Sequence, residues 1–261
     1  MKGILLLATS LALFVNFSMA QNTNEEDKRL AFGYNYGESF PQSDFGKTNQ
    51  SKLPMSRLIK QDTTKLSGYA QKGFHYDIYA TYRLIPHLSI MAAVYGDQNS
   101  YDINTLNSQY ISLYPPNTVA VVTGDNYYIT QYLIGPYISI PIIKRLSTEI
   151  KVLGGLTTAN YPSLTYVGLL QDLLYSIPAT SGLGYNVGIG FKYMAVKTRE
   201  VQLGLHLNVD YAGSTITYPS YSVTAYTPAD VYISSATYNV PKTMSLSIFQ
   251  FTYGISLEFL N

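Results

Sequence analysis

The sequence predicts an all-β protein: a closed, antiparallel, up-and-down transmembrane β-barrel of eight strands. Three features of the 261-residue chain point there. Polar and apolar residues alternate with period two over eight separate segments. The connections between those segments are short and long by strict turns. The chain also opens on a segment built for export. Composition limits the alternatives. Only 13% of residues are charged, roughly half the usual fraction for a soluble domain. Mean hydropathy is nevertheless +0.02, which excludes a bundle of membrane-spanning helices. The absence of Cys excludes a disulfide scaffold, a thiol nucleophile and a Cys-ligated metal. A net charge of +1 gives no electrostatic footprint for nucleic acid, so no nucleic-acid partner is expected.

The first element is the export segment. Lys2 supplies its positive end, Ile4 to Val15 form an apolar stretch too short to span as a helix, and Ser18-Met19-Ala20 offer the small residues read by a signal peptidase. Residues 1–20 are expected to be removed and residues 21–28 to form a short lead. Residues 29–261 are expected to form the barrel domain.

The strands follow. In the run from His75 to Leu84, the even positions Tyr76, Ile78, Ala80, Tyr82 and Leu84 are apolar or aromatic. The odd positions His75, Asp77, Tyr79, Thr81 and Arg83 are mostly polar. A helix at 100° per residue mixes these two sets, whereas a strand separates them. The same separation marks Leu30–Tyr36, Leu88–Val94, Tyr128–Ile140, Leu146–Leu156, Tyr185–Tyr193, Val201–Tyr211 and Phe249–Phe259. No apolar face carries an ionisable group. Alternation alone does not say which face points inward, so a soluble barrel of lipocalin type, with its apolar face inside, remains open on this pattern.

Connection lengths bear on that choice. Ile85-Pro86-His87, Ile143-Lys144-Arg145 and the turn at Lys197-Thr198-Arg199 are tight. The others are long: Pro41 to Gln71, Asp102 to Gly124, Asn160 to Thr180, and Gly213 to Thr243. An up-and-down barrel therefore has every short turn at one rim and every long loop at the other, the asymmetry of bacterial outer-membrane barrels. A membrane sheet must also close, because open edges find no partner in lipid.

The end of the chain, Thr252-Tyr-Gly254-Ile-Ser-Leu257-Glu-Phe259, resembles the closing-strand signal read by the outer-membrane barrel assembly machinery, with Thr252, Gly254, Leu257 and Phe259 at the matching positions. Two departures are that Leu257 stands where an aromatic is common, and that Leu260-Asn261 follow the usual terminal Phe. With these residues, the chain resembles the small outer-membrane β-barrel families, such as the OmpA membrane domain, OmpX and OmpW. The resemblance implies insertion in the outer membrane of a Gram-negative cell, with extracellular loops and both termini periplasmic. It also implies lipid partners that include lipopolysaccharide, the assembly machinery as a partner in biogenesis, and room for envelope protein partners.

An eight-stranded barrel is just wide enough for its interior to fill with side chains. Inward glycines such as Gly188, Gly190 and Gly204 make room for inward Tyr79, Tyr95, Tyr127 and Tyr137. Near the short turns, the inward charges Arg83, Glu149, Lys151, Lys192 and Glu258 are expected to pair as an ionic network, since an unpaired buried charge is costly. A selectivity constriction in a pore is the functional alternative. Toward the loops lie His75, Asp77, Asp97, His206 and Asp210; the turn length sets His75 opposite Asp97 as an upper-lumen pair. His87-Leu88-Ser89 resembles the His-x-Ser of an outer-membrane lipid A deacylase, but it lies at a short turn with Ser89 inward. The three His are dispersed, so no metal site, no cofactor and no catalytic constellation is expected. The expected role is structural, surface-binding or within an envelope complex. The alternatives are a narrow porin-like channel and, third, a lipid-modifying enzyme.

The loops are the best remaining site candidates. Lys47, Lys52, Arg57, Lys60 and Lys65 stand against Asp44 and Asp62 in the first loop, where lipopolysaccharide phosphates are an available partner. The others are rich in Tyr, Ser and Thr, a composition of adaptable binding surfaces. Leu169 to Leu174 is expected to form a short amphipathic helix. With no Trp, aromatic girdles at the membrane faces must use Tyr and Phe. Ten outward strand tyrosines are expected, among them Tyr36, Tyr76, Tyr82, Tyr193 and Tyr211.

Overall fold

The structure is a computed structural model and describes residues 28–48, 66–111, 121–168, 171–198, 200–239 and 241–260. The export segment, the side chain of Arg29 and the loop charges Lys52, Arg57, Lys60, Asp62 and Lys65 lie outside what it describes.

Thirteen strands are described. In chain order they are β1 (Lys28–Pro41), β2 (Ala70–Ile85), β3 (Leu88–Tyr101), β4 (Val121–Gly124), β5 (Tyr127–Ile143), β6 (Leu146–Asn160), β7 (Leu164–Val167), β8 (Asp172–Ser176), β9 (Thr180–Lys197), β10 (Val201–Tyr218), β11 (Tyr221–Tyr226), β12 (Tyr232–Tyr238) and β13 (Lys242–Leu260). Eight of them close into a barrel in the order β1-β13-β10-β9-β6-β5-β3-β2, every pair antiparallel. Chain neighbours are sheet neighbours, and β1 closes on β13 with Phe32 opposite Leu257 and Tyr36 opposite Tyr253.

The structure decides which face points inward. Asn35, His75, Asp77, Asp97, Lys151, Asp210 and Gln250 are buried in the lumen, while Phe32, Ile78, Ile134, Ile189, Phe251 and Ile255 are exposed on the wall. Ile78 is 59% exposed and Asp77 beside it 0%. Water would not tolerate an apolar band running round the whole barrel, and lipid would not tolerate the reverse. The barrel is therefore a membrane-spanning one and not of the soluble lipocalin type. Ten tyrosines on the eight barrel strands face outward and exposed: Tyr34, Tyr36, Tyr76, Tyr82, Tyr128, Tyr132, Tyr185, Tyr193, Tyr211 and Tyr253.

The barrel strands run further than the alternation indicates. β10 continues to Tyr218 and β13 begins at Lys242, both inside a predicted loop, while β1 begins at Lys28, inside the predicted lead. Past the membrane no lipid selects for apolar outward residues, so stretches such as Ser214–Thr217 lose their sequence signature while keeping their ladder bonds. The inward face also changes there, to Ala212, Ile216, Met244, Leu246 and Ile248, all buried.

The long connections fold too. β4, β7, β8, β11 and β12 form a second antiparallel sheet in the order β12-β11-β8-β7-β4. This corrects the predicted helix at Leu169–Leu174 over its second part: Asp172–Ser176 is strand β8, bonded on one side to β7 and on the other to β11. Partners brought from distant sequence override the local helical spacing of the leucines. Among the described residues, helices are confined to one turn at Ser43–Gly46 and to Ile103–Ile111.

One buried core joins this sheet to the barrel mouth. It includes Phe45, Tyr69, Tyr101, Tyr127, Tyr161, Leu164, Tyr166, Tyr218 and Tyr221 together with inward Ile216, Met244 and Leu246. Tyr127 is its hub. Its ring centroid lies 4.9 Å from Phe45, 5.5 Å from Tyr161 and 5.9 Å from Tyr101, and its hydroxyl donates to the Gly68 carbonyl at 2.6 Å. Aromatic pairs of this kind contribute roughly 0.5–1.5 kcal/mol beyond area burial. Burial pushes the Tyr161 hydroxyl up to about 12 and raises that of Tyr69 as well, so these two phenols stay uncharged at neutral pH.

Candidate functional site: the polar lumen

Below the aromatic core, the lumen divides into two polar tiers. The upper one centres on His75, which is 0% exposed. Its Nδ1 lies 2.9 Å from Asp97 Oδ1 and its Nε2 lies 3.3 Å from Asp77 Oδ2. His75 thus bridges the two carboxylates through its two ring nitrogens. Each carboxylate is also fixed by an amide. Asn35 Nδ2 donates to both oxygens of Asp77, at 2.9 and 3.1 Å. Gln250 Nε2 donates to both oxygens of Asp97, at 3.0 Å each, and Asn186 Nδ2 donates to Gln250 Oε1 at 3.2 Å. Lys151 joins this tier: its Nζ lies 3.1 Å from Asp210 Oδ2 and 5.4 Å from the centre of the Tyr95 ring.

The lower tier centres on Glu149. It accepts from the Tyr137 hydroxyl and from His206 Nδ1, the latter at 2.9 Å. Lys192 Nζ lies 3.7 Å from Glu149 Oε1 and donates to Glu258 Oε1 at 2.7 Å. His206 Nε2 lies 2.7 Å from Ser256 Oγ and 3.3 Å from the Tyr79 hydroxyl. Arg83 lines the cavity beneath, together with Lys192, Glu258 and Ser256.

Of the five charges expected to form one network, Lys151 stands apart. Glu149, Lys192 and Glu258 are linked, but Lys151 pairs with Asp210, which the sequence pattern sets with the loop-side group. His206, also set with that group, bonds Glu149 instead. The reason is geometric. Both contacts span from β6 to β10 across β9, and the stagger of tilted strands decides which levels meet. Gly188 is the sheet partner of both Lys151 and Asp210. A Cβ at Gly188 would collide with the Asp210 carboxylate and come 2.7 Å from Lys151 Cε, so the missing side chain is what lets this ion pair form.

The closing-strand residues occupy both faces. Thr252 is buried and accepts from Asn208 Nδ2 at 3.4 Å. Gly254 lies between Asn35 and His206 in the sheet. Leu257 and Phe259 face outward, and Phe259 meets Phe32 edge-on with ring centres 6.2 Å apart. At the β2–β3 turn, His87 Nδ1 lies 3.1 Å from the Ser139 carbonyl oxygen, which settles that ring on backbone.

The Ser256–His206–Glu149 line went unrecognised in the sequence. Its members sit on β13, β10 and β6, more than 45 residues apart. Inward parity is the signal they share, and it does not give their heights.

Two small spaces remain between the described lumen side chains. About 40 Å3 is open near the short turns and about 10 Å3 beside Glu149 and Lys151, enough for a few waters or one.

No protein-family model and no curated protein matches the chain. Solved structures similar in outline include Neisserial surface protein A, at 15% identity and TM-score 0.43, over 88% of this chain and 97% of that one. Ail, the attachment invasion locus protein of Yersinia pestis, is 8% identical with TM-score 0.38, over 89% of this chain and 97% of that one. The outer membrane protease OmpT from Escherichia coli is 9% identical with TM-score 0.46, over 92% and 99%. Likenesses of this size carry no inference about role.

Proposed function

We propose that the protein is an integral outer-membrane barrel, sealed to solutes, that displays its five-stranded loop sheet as a recognition surface outside the cell. The observation that carries this reading is the continuous aromatic core beneath that sheet. Tyr101, Tyr127, Tyr161 and Tyr218 lie in ring contact across the mouth, where a conducting barrel needs an opening. The two polar tiers fill the lumen below.

The surface itself has the chemistry of a binding face. β12 ends the loop sheet, pairs only with β11 among the described residues, and exposes Tyr232, Ile233, Ser234, Ser235, Ala236 and Thr237. Neither β11 nor β12 contains a charge, a Pro or a Gly. Proteins ordinarily guard an open edge with such residues, and an unguarded edge is a template for an incoming strand. The hairpin tip adds exposed Val231. The export segment and the apolar wall support placement in the outer membrane, with the long loops outward as in other bacterial barrels.

Planar-bilayer recording of the purified, refolded barrel tests the seal. The expected trace is silent. Reproducible unit steps that scale with protein added would reverse the reading in favour of a channel.

A further inference from the structure

The lower lumen holds a second kind of site. Ser256 Oγ lies 2.7 Å from His206 Nε2, and His206 Nδ1 lies 2.9 Å from Glu149 Oε2. This is the nucleophile–base–orienter geometry of serine acyl transfer, recognised by distances and roles wherever it occurs in a fold. We propose that Ser256, His206 and Glu149 form a serine-type acyl-transfer site that cleaves small esters entering from the short-turn end of the barrel. The inference rests on the lumen alone and is independent of what the loop sheet binds.

Each part has its place. Glu149 is held by the Tyr137 hydroxyl and by Lys192. As an acceptor it draws the proton of His206 to Nδ1, which leaves Nε2 to accept from the Ser256 hydroxyl. Gly204 keeps the ground beside the pair open: a Cβ there would come 2.7 Å from Ser256 Oγ and 3.2 Å from His206 Nε2. Ser256 and His206 both line the cavity of about 40 Å3 at the short-turn end, beside Tyr79 and Lys192. The Lys192 ammonium and the Tyr79 hydroxyl are the donors available to a developing oxyanion. A space of that size suits an acetyl-sized acyl group, with the alcohol part of the ester left at the open end.

The chemistry balances with water as co-reactant. Ser256 Oγ bonds to the acyl carbon as its proton passes to His206 Nε2. The ester C–O bond breaks, and the same proton leaves with the alcohol. Water then attacks the acyl-serine, His206 again takes and returns a proton, and a carboxylic acid departs with Ser256 restored. Ser256 and His206 are the catalytic residues, and Glu149 is a positioning residue.

The test treats the folded wild-type barrel in detergent with a small fluorophosphonate and maps the adduct by mass spectrometry, alongside hydrolysis of p-nitrophenyl acetate. The expected result is an adduct on Ser256 that is lost on heat unfolding, with hydrolysis reduced at least about 100-fold in Ser256→Ala and His206→Gln. Glu149→Gln is expected to lower turnover and shift its pH profile, which a merely structural carboxylate would not do. Heat-modifiable gel mobility checks that each variant folds. No adduct on Ser256 of the folded wild type, or an adduct formed equally fast after unfolding, would overturn the proposal. So would hydrolysis equal to that of folded Ser256→Ala.

Discussion

Lys151 reaches Asp210 over a glycine: its Nζ stands 3.1 Å from Asp210 Oδ2, with Gly188 the sheet partner of both residues. Both side chains are buried, so the pair is largely shielded from water. Removing one partner from such a pair costs about 3–5 kcal/mol, whereas replacing both with apolar groups costs far less. Lys151→Met is therefore expected to lower the urea midpoint of the refolded barrel strongly, and Lys151→Met with Asp210→Leu to recover most of the loss. Equal losses for the single and the double variant would show that the pair is not coupled.

Gly188→Val tests the same contact through space alone. The added side chain collides with the Asp210 carboxylate. The variant is expected to lose heat-modifiable migration at a temperature well below that of Val187→Ile, a neighbouring change on the lipid face. The same melting temperature for both would mean that the wall yields around the new side chain.

The seal at the mouth depends on Tyr127, which touches Phe45, Tyr101 and Tyr161. Truncation of a buried aromatic to Ala typically costs about 3–5 kcal/mol and leaves a cavity. Tyr127→Ala is expected to raise the rate at which the loops are cut by external protease, read on intact cells, while the barrel itself stays resistant. Unchanged loop cleavage would show that the loop sheet holds without its aromatic core.

The last strand is expected to matter in assembly beyond its contacts. Phe259→Ala should lower the amount of barrel reaching the membrane more than Tyr226→Ala in the loop sheet does, judged by immunoblots of membrane fractions. Equal levels would remove any special role for the closing strand.

How much of this was legible in the sequence follows from where lipid acts. Residues such as Ile78, Ile134 and Phe251 alternate with polar neighbours because one face meets hydrocarbon, so the eight barrel segments stand out. β4, β7, β8, β11 and β12 have no such boundary. They run four to seven residues, and their partners come from different loops, so Leu173 and Leu174 read locally as helix. The same limit holds in the lumen. A contact between neighbours such as His75 and Asp97 is set by a turn whose length can be counted. Contacts that skip a strand, as Lys151–Asp210 and Glu149–His206 do, depend on barrel stagger, which alternation does not record. Ser256 and His206 do lie on adjacent strands, but a long loop joins β10 to β13 and gives no turn from which to count their register, so the line through Ser256 was hidden as well.

The orientation of the barrel, loop sheet outside and short turns inside, is open to direct measurement. The chain has no Cys, so single cysteines report without background. Ser234→Cys on exposed β12 and Lys144→Cys in a short turn are expressed in a Gram-negative host and treated, on intact cells, with a maleimide too bulky to cross the outer membrane. Ser234→Cys is expected to be labelled at once and Lys144→Cys only after lysis. Labelling of Lys144→Cys on intact cells, with Ser234→Cys protected until lysis, would contradict that orientation.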